Sequence, residues 1–147
     1  MATMQFEIVT AEGVLYSDEV DGIVAPGADG ELGVLPNHAS LLTVLKAGEL
    51  RIMKGNEETD IAITGGFLEV LGNKVTILAD AAERSEEIDI ARAEEAVARA
   101  QERVANRASD IDLERALASI KRGEVRIQVA RRQRTRRPSR REGEAVQ

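Results

Sequence analysis

The feature that most constrains this chain is a short stretch that occurs twice. Residues 88–93 read I-D-I-A-R-A, and residues 111–116 read I-D-L-E-R-A. Each copy sets an aspartate where a helix would start, because an N-cap carboxylate accepts from backbone N–H groups that lack an intrahelical partner. Upstream, the sequence alternates like strands and is punctuated by glycine. Between Ala93 and Gly123 neither Gly nor Pro occurs, and Ala, Glu and Arg take over. Two helix starts separated by one short helix predict a helical hairpin. The chain therefore reads as α+β, a β unit with two helices on its end.

A length of 147 residues allows one ordinary domain or two small ones. Hydrophobic residues make up 43% but aromatics only 2%, so the core must be aliphatic. The absence of cysteine excludes disulfides and thiolate metal sites. No apolar run reaches the length of a membrane span, and residues 1–6 lack a basic region leading into an apolar stretch. Any membrane role is expected to be peripheral. The net charge of −6 conceals a split: residues 131–147 hold seven Arg against two Glu, and the rest holds 13 basic against 24 acidic residues. Such a tail is either a solvated end or a segment with its own partner.

Met4–Thr10 places Met4, Phe6 and Ile8 on one face, the period-two mark of a half-buried strand. Further strands are expected over 14–17, 20–25, 32–35, 41–45, 49–54, 61–64, 67–71 and 75–79. Turns or breaks between them fall at Glu12-Gly13, Pro26-Gly27, Asp29-Gly30, Pro36-Asn37, Ala47-Gly48, Gly55-Asn56, Gly65-Gly66 and Gly72-Asn73. Turn signals roughly every eight to twelve residues predict an antiparallel β-sandwich or barrel, placed at residues 1–84. The spacing Gly27-x-x-Gly30-x-x-Gly33 has no following Lys-Ser/Thr and opens no helix, so it does not read as a phosphate loop. His38 is the only histidine, a poor basis for a metal site, and is expected to be structural or to contact a partner. No Ser or Cys has the context of an activated nucleophile, and neither catalytic nor metal-ligating residues are expected.

Residues 85–132 are expected to form the hairpin. Helix one, Asp89 to Asn106, carries an apolar stripe of Ile90, Ala93, Val97, Ala100 and Val104. Helix two, Asp112 to Arg132, carries Ala116, Ile120, Gly123, Ile127 and Ala130, widened by Leu113 and Leu117, with a turn over 106–110. The two stripes are expected to face each other. Gly123 costs about 1 kcal/mol against Ala in a helix; it reads as permitting close packing, the alternative being a bend point. Antiparallel pairing sets Arg92 near Arg126, with Arg122 one turn away and Asp89 and Glu83 alongside. Guanidinium groups this close need carboxylates or a bound anion, and their forked donors suit phosphate. The cluster is thus either a phosphate site or a set of internal pairs with Asp89, Glu86 or Glu87. Residues 133–147 form an Arg-rich tail that Pro138 stops from continuing as helix, and it is expected to be disordered.

The runs PGADGELGVLPNHASLLTVLKAGEL (26–50) and GGFLEVLGNKVTILADAAERSEEID (65–89) resemble the epsilon subunit of F-type ATP synthases. The resemblance covers about residues 4–132 and leaves the Arg-rich extension outside. It implies a β-sandwich with a helical hairpin, in agreement with the reading above. It also implies a non-catalytic subunit of the rotor's central stalk, on the cytoplasmic face of the cell membrane and peripheral to it. The implied partners are the gamma subunit, the ring of c subunits and the beta subunit. Glu31 matches the family's ring-facing loop and His38 lies in the neighbouring loop, so both are implied contacts of the ring. Arg122, Arg126, Arg131 and Arg132 fit the basic residues that meet the beta subunit when the hairpin extends and blocks ATP hydrolysis. Resemblance to members that bind ATP in the folded hairpin implies a regulatory ATP site at Glu83, Ile88, Asp89, Arg92, Ala93, Arg122 and Arg126. No cofactor is required. Gly123 stands where the family pattern has alanine.

Two other classes are weighed against this one. A nucleic-acid-binding or other adaptor protein would act through the basic tail, but the body is acidic and lacks an aromatic stacking platform, so no nucleic acid is expected. A free-standing enzyme would need an acid–base or nucleophile constellation, and none is visible.

Overall fold

A computed structural model describes residues 2–106 and 110–136, and the side chains of the second helix over 113–133. The elements in order are β1 (Met4–Thr10), β2 (Gly13–Val20), β3 (Gly22–Gly27), β4 (Gly30–Val34), β5 (Leu41–Lys54), β6 (Glu57–Leu71), β7 (Lys74–Ala79) and β8 (Ala82–Arg84). A single 3-10 turn, Ser85–Glu87, leads into α1 (Ile90–Ala105) and α2 (Asp110–Arg136).

Hydrogen bonds run in the order β2-β1-β7-β6-β5-β3-β4, with β8 on β6. Two layers arise because β5 and β6 are long enough to serve both. Their paired halves, with Leu41 opposite Val70 and Lys46 opposite Gly65, continue into β7, β1 and β2. Their other halves, with Gly48 opposite Ile63 and Lys54 opposite Glu57, continue into β3, β4 and β8. The space between holds Phe6, Ile8, Ile23, Leu50, Ile52, Ile61, Ile63, Leu68 and Ile77, each no more than 1% exposed. Pairing is antiparallel throughout except between β1 and β7, which run parallel.

Two expected breaks are continuous strand. Gly48 lies within β5, where a Cβ would stand 2.6 Å from the Cβ of Pro26, so the glycine makes room for a proline rather than a turn. Pro26 in turn lies inside β3, at a shift of register between Val24 and Gly27 where its missing donor is tolerated. Gly65 and Gly66, at φ 128° and 141°, bend β6 without ending it. A Cβ on Gly66 would stand 2.0 Å from the Leu78 carbonyl oxygen.

Asp89 caps α1 as expected, its side chain accepting from the Arg92 N–H at 3.1 Å. The second helix starts at Asp110, two residues before Asp112, so the echo of the motif lies in its first turn. It also continues to Arg136, past the expected end at Arg132, since no breaker precedes Pro138. Residues 133–136, expected to open a disordered tail, and Asp110, expected in the turn, are therefore helix, whereas 107–109 and 137–147 lie outside the described residues.

The helices meet as the stripes predict. Ala93, Ala100, Ala116 and Ala130 are buried, and a Cβ on Gly123 would stand 2.4 Å from Val97 Cγ2. Gly123 is a packing residue. One expectation fails: α2 does not face only α1. Val125 and Val129, off the expected stripe, press with Ala130 onto Ala62, Ile88, Ala47 and Ile90. The hairpin is docked on the sheet.

Candidate functional site

Docking brings Glu83 and two of the three expected arginines together. Glu83, on β8, points away from the core because its neighbour Ala82 packs inward, and strand side chains alternate. Its carboxylate accepts two bonds from Arg126, from Nε at 2.6 Å and from Nη2 at 3.1 Å. Side chains here are 29% and 30% exposed, so the pair is partly desolvated. The bonds to Glu83 raise the Arg126 pKa, against the opposing effect of burial, with the charges of Glu83 and Asp89 adding to the rise. Arg126 is a fixed cation with a fixed partner. The internal pair foreseen as an alternative thus forms, but with Glu83 instead of Asp89, Glu86 or Glu87.

Arg122 stands one turn away, exposed, its Nη2 donating to Ser119 Oγ at 3.0 Å. Together Glu83, Arg122 and Arg126 line a cleft of about 370 Å³ between hairpin and sheet. The rest of its wall is mostly apolar, including Ala62, Ala82, Ala96 and Val125, with the hydroxyls of Thr64 and Ser119. Two guanidinium groups, one of them shared with Glu83, beside a mostly apolar wall can hold a group with a flat ring and phosphates. Arg92 does not join them: its side chain is exposed and off the cleft wall, because it follows the Asp89 cap on the outer side of α1. Ile88 and Ala93 are buried, at 3% and 0% exposure, as packing beneath the site.

The remaining expected residues are dispersed. Arg131 donates to Glu94 of α1 at 2.6 Å, and Arg132 to Glu49 of β5 at 3.0 Å. Glu31 is on β4 itself, 70% exposed and 3.5 Å from Arg51. His38 lies in the 35–40 connection, its Nδ1 donating to the Ala39 carbonyl at 2.7 Å. Sequence reasoning missed Glu49, Ala62 and Val129. The signal was available in the strand alternation, since Ala47, Glu49 and Ala62 are the odd or even partners of core residues Leu50, Ile61 and Ile63.

Residues 3–85 match the family "ATP synthase, Delta/Epsilon chain, beta-sandwich domain", and residues 86–131 match "ATP synthase, Delta/Epsilon chain, long alpha-helix domain". The chain belongs to the ATP synthase delta/epsilon family. Within it, the chain is 51% identical over 133 residues to an ATP synthase epsilon chain of Herpetosiphon aurantiacus, covering 90% of this chain and 98% of that one. It is 46% identical over 128 residues to that of Desulforamulus reducens, covering 87% and 97%. Its fold resembles a chain of the Euglena gracilis mitochondrial ATP synthase, with a TM-score of 0.75 at 22% identity, covering 84% of this chain and 79% of that one. As an epsilon chain it is a non-catalytic stalk subunit. Among the described residues no helix is long and apolar enough to cross a membrane.

Proposed function

We propose that this subunit couples rotation of the c-ring to ATP synthesis and that its hairpin restrains ATP hydrolysis. The sandwich, 1–84, serves as the stalk unit, with gamma on its apolar outer face and the c-ring at Glu31 and His38. That outer face exposes Leu42 and Val44 of β5, Phe67 and Leu71 of β6 and Leu78 of β7. Neighbouring strands carry these side chains, so they form one apolar patch of the kind that marks an interface. The hairpin, 85–132, serves as the regulatory unit. The subunit works at the cytoplasmic face of the cell membrane, associated through the complex.

The observation that carries this reading is that three of the four arginines assigned to the beta subunit are tied to carboxylates of this chain. Arg126 is held by Glu83, Arg131 by Glu94 and Arg132 by Glu49. A hairpin folded in this way has its basic face engaged at home. Extension would exchange these internal pairs for acidic groups of the beta subunit. ATP in the cleft would favour the folded arrangement, because its phosphates would bind Arg122 and Arg126 only while the cleft exists.

Two measurements test this. Truncation after Ser85 should leave a folded sandwich that still couples, and should raise ATP hydrolysis by the assembled enzyme. An unchanged hydrolysis rate rejects the inhibitory hairpin. Calorimetric titration of the whole chain should show saturable binding that prefers ATP over ADP and GTP, weakened by Arg126→Ala. Absence of binding at millimolar ATP removes the nucleotide site and leaves Arg122 and Arg126 as internal and beta-subunit contacts.

A further inference from the structure

The register of α2 on the sheet is set by a match between one row of the sheet and one face of the helix. Glu49 of β5 lies opposite Ala62 of β6, and Ala62 lies opposite Glu83 of β8. The three face the hairpin in a single row across adjacent strands, glutamate, alanine, glutamate. Strands are about 4.8 Å apart, so the two glutamates stand about 9.6 Å from each other along the row. On α2, Arg126 and Arg132 are six residues apart, which is about 9 Å along a helix. Val129 lies midway, and at about 100° per residue the two arginines flank it by about 60° on either side. The helix can therefore set Val129 down on Ala62 while one arginine reaches each glutamate.

The contacts agree with that construction. Val129 is 0% exposed and packs in the cluster that contains Ala62. Arg126 bonds Glu83, and Arg132 Nη1 donates to Glu49 Oε2 at 3.0 Å. The Glu49 side chain is only 11% exposed, so this second pair is the better shielded at its acidic end.

The geometry points to Glu49 and Arg132 as a second clamp, outside the candidate nucleotide cleft, that fixes the register of α2 and holds the folded hairpin without any ligand. Neither residue lines the cleft. Arg126 ties α2 to the row on one side of Val129 only; Arg132 ties it on the other side, so the two pairs together hold both its position and its direction. A shift by one turn would carry Arg132 away from Glu49 and Val129 off Ala62 together.

A double-mutant cycle read by amide hydrogen exchange tests the clamp on the full-length chain. The variants are Glu49→Gln, Arg132→Gln and the two combined, with the β-strand amides as an internal control. Each single change should lower protection of the last turns of α2 by about three- to ten-fold. The combined variant should lose no more than the larger single, because a pair broken once cannot be broken again. Unchanged protection in Arg132→Gln, a helix-surface change that leaves the sandwich intact, overturns the clamp. Losses that multiply in the combined variant overturn it too. No nucleotide and no other subunit enters the measurement, so its failure is distinguishable from failure of the nucleotide site or of inhibition.

Discussion

The interior of the sandwich and the joint between α2 and the sheet are both aliphatic, yet they differ in the size of what they bury. The interior is filled by Ile, Leu, Val and Phe6, with Ile8, Ile23, Leu50, Ile61, Leu68 and Ile77 at 0% exposure. The joint is Ala62, Ala130, Val125, Val129 and Ile88, with Ala47 and Ile90 at its margin. Fully burying a large aliphatic side chain contributes about 1.5–3 kcal/mol, and a single methyl group about a third of that. The side chains of the interior thus hold chiefly by apolar burial. The joint buries little and adds ion pairs, Glu83–Arg126 and Glu49–Arg132, which weaken when salt or a competing charge is present. A scaffold and a detachable element require different chemistry, and the elements that move in regulation come from the low-stability end of a structure.

The sharpest way to break this comparison is to attack the interior. Leu68→Ala should cost the sandwich about 2–5 kcal/mol in a urea titration, through lost burial and the cavity left behind. A loss as small as a surface change would mean that the interior is no better packed than the joint.

Next in size is Gly123→Ala, which should loosen the hairpin by about 1–3 kcal/mol through overpacking against Val97 while leaving the sandwich transition unchanged. Adding Val97→Ala should recover much of the loss, seen as restored helical circular dichroism at intermediate urea. If Gly123→Ala shifted the sandwich transition instead, the two regions would not be separable.

Glu83→Gln comes third. It removes one charge of a two-bond pair whose side chains are each nearly a third exposed, so about 1 kcal/mol is expected, felt only in the docking of α2. Hydrogen exchange at the α2 amides, against unchanged β6 amides, checks it.

The smallest effect is expected at the far edge of the sandwich. Bonds from Lys54 and from the Glu19 N–H hold the Asp18 carboxyl below its ordinary range, against the desolvation that would raise it. A lowered carboxyl adds stability above its ordinary pKa of about 4, and that stability drains away as pH falls toward the lowered value. Asp18→Asn should therefore flatten the acid side of the sandwich's stability curve slightly and change nothing in the hairpin. Movement of the α2 signal in that variant would show that charge at this edge reaches the joint.

How much of this was legible beforehand differs between the two regions. Met4–Thr10 matched its expected bounds, because its alternation is unambiguous and a glycine turn follows it. Asp89 was readable as the N-cap of α1, and Asn106 as its end, because both signals are local. The breaks expected at Ala47-Gly48 and Gly65-Gly66 failed because glycine marks both a turn and a place where something comes close. Only the position of Pro26 and of the Leu78 carbonyl decides which. In the site, Arg122 and Arg126 were readable as neighbours from their one-turn spacing, whereas Glu83 and Arg92 were grouped with them by hairpin pairing and by the resemblance, and pairing fixes height along the helix but not the face.

By itself the sequence determined the α+β order, the aliphatic core, the helix start at Asp89 and the close helix contact at Gly123. Each of these depends on residues near one another in the chain or on a repeating pattern. Tertiary structure alone decided that β1 pairs with β7 in parallel, that β5 and β6 bridge both layers, and that Glu49, Ala62 and Glu83 form one row beneath α2. Those residues are far apart in the chain, and their meeting depends on strand register, which no local preference encodes.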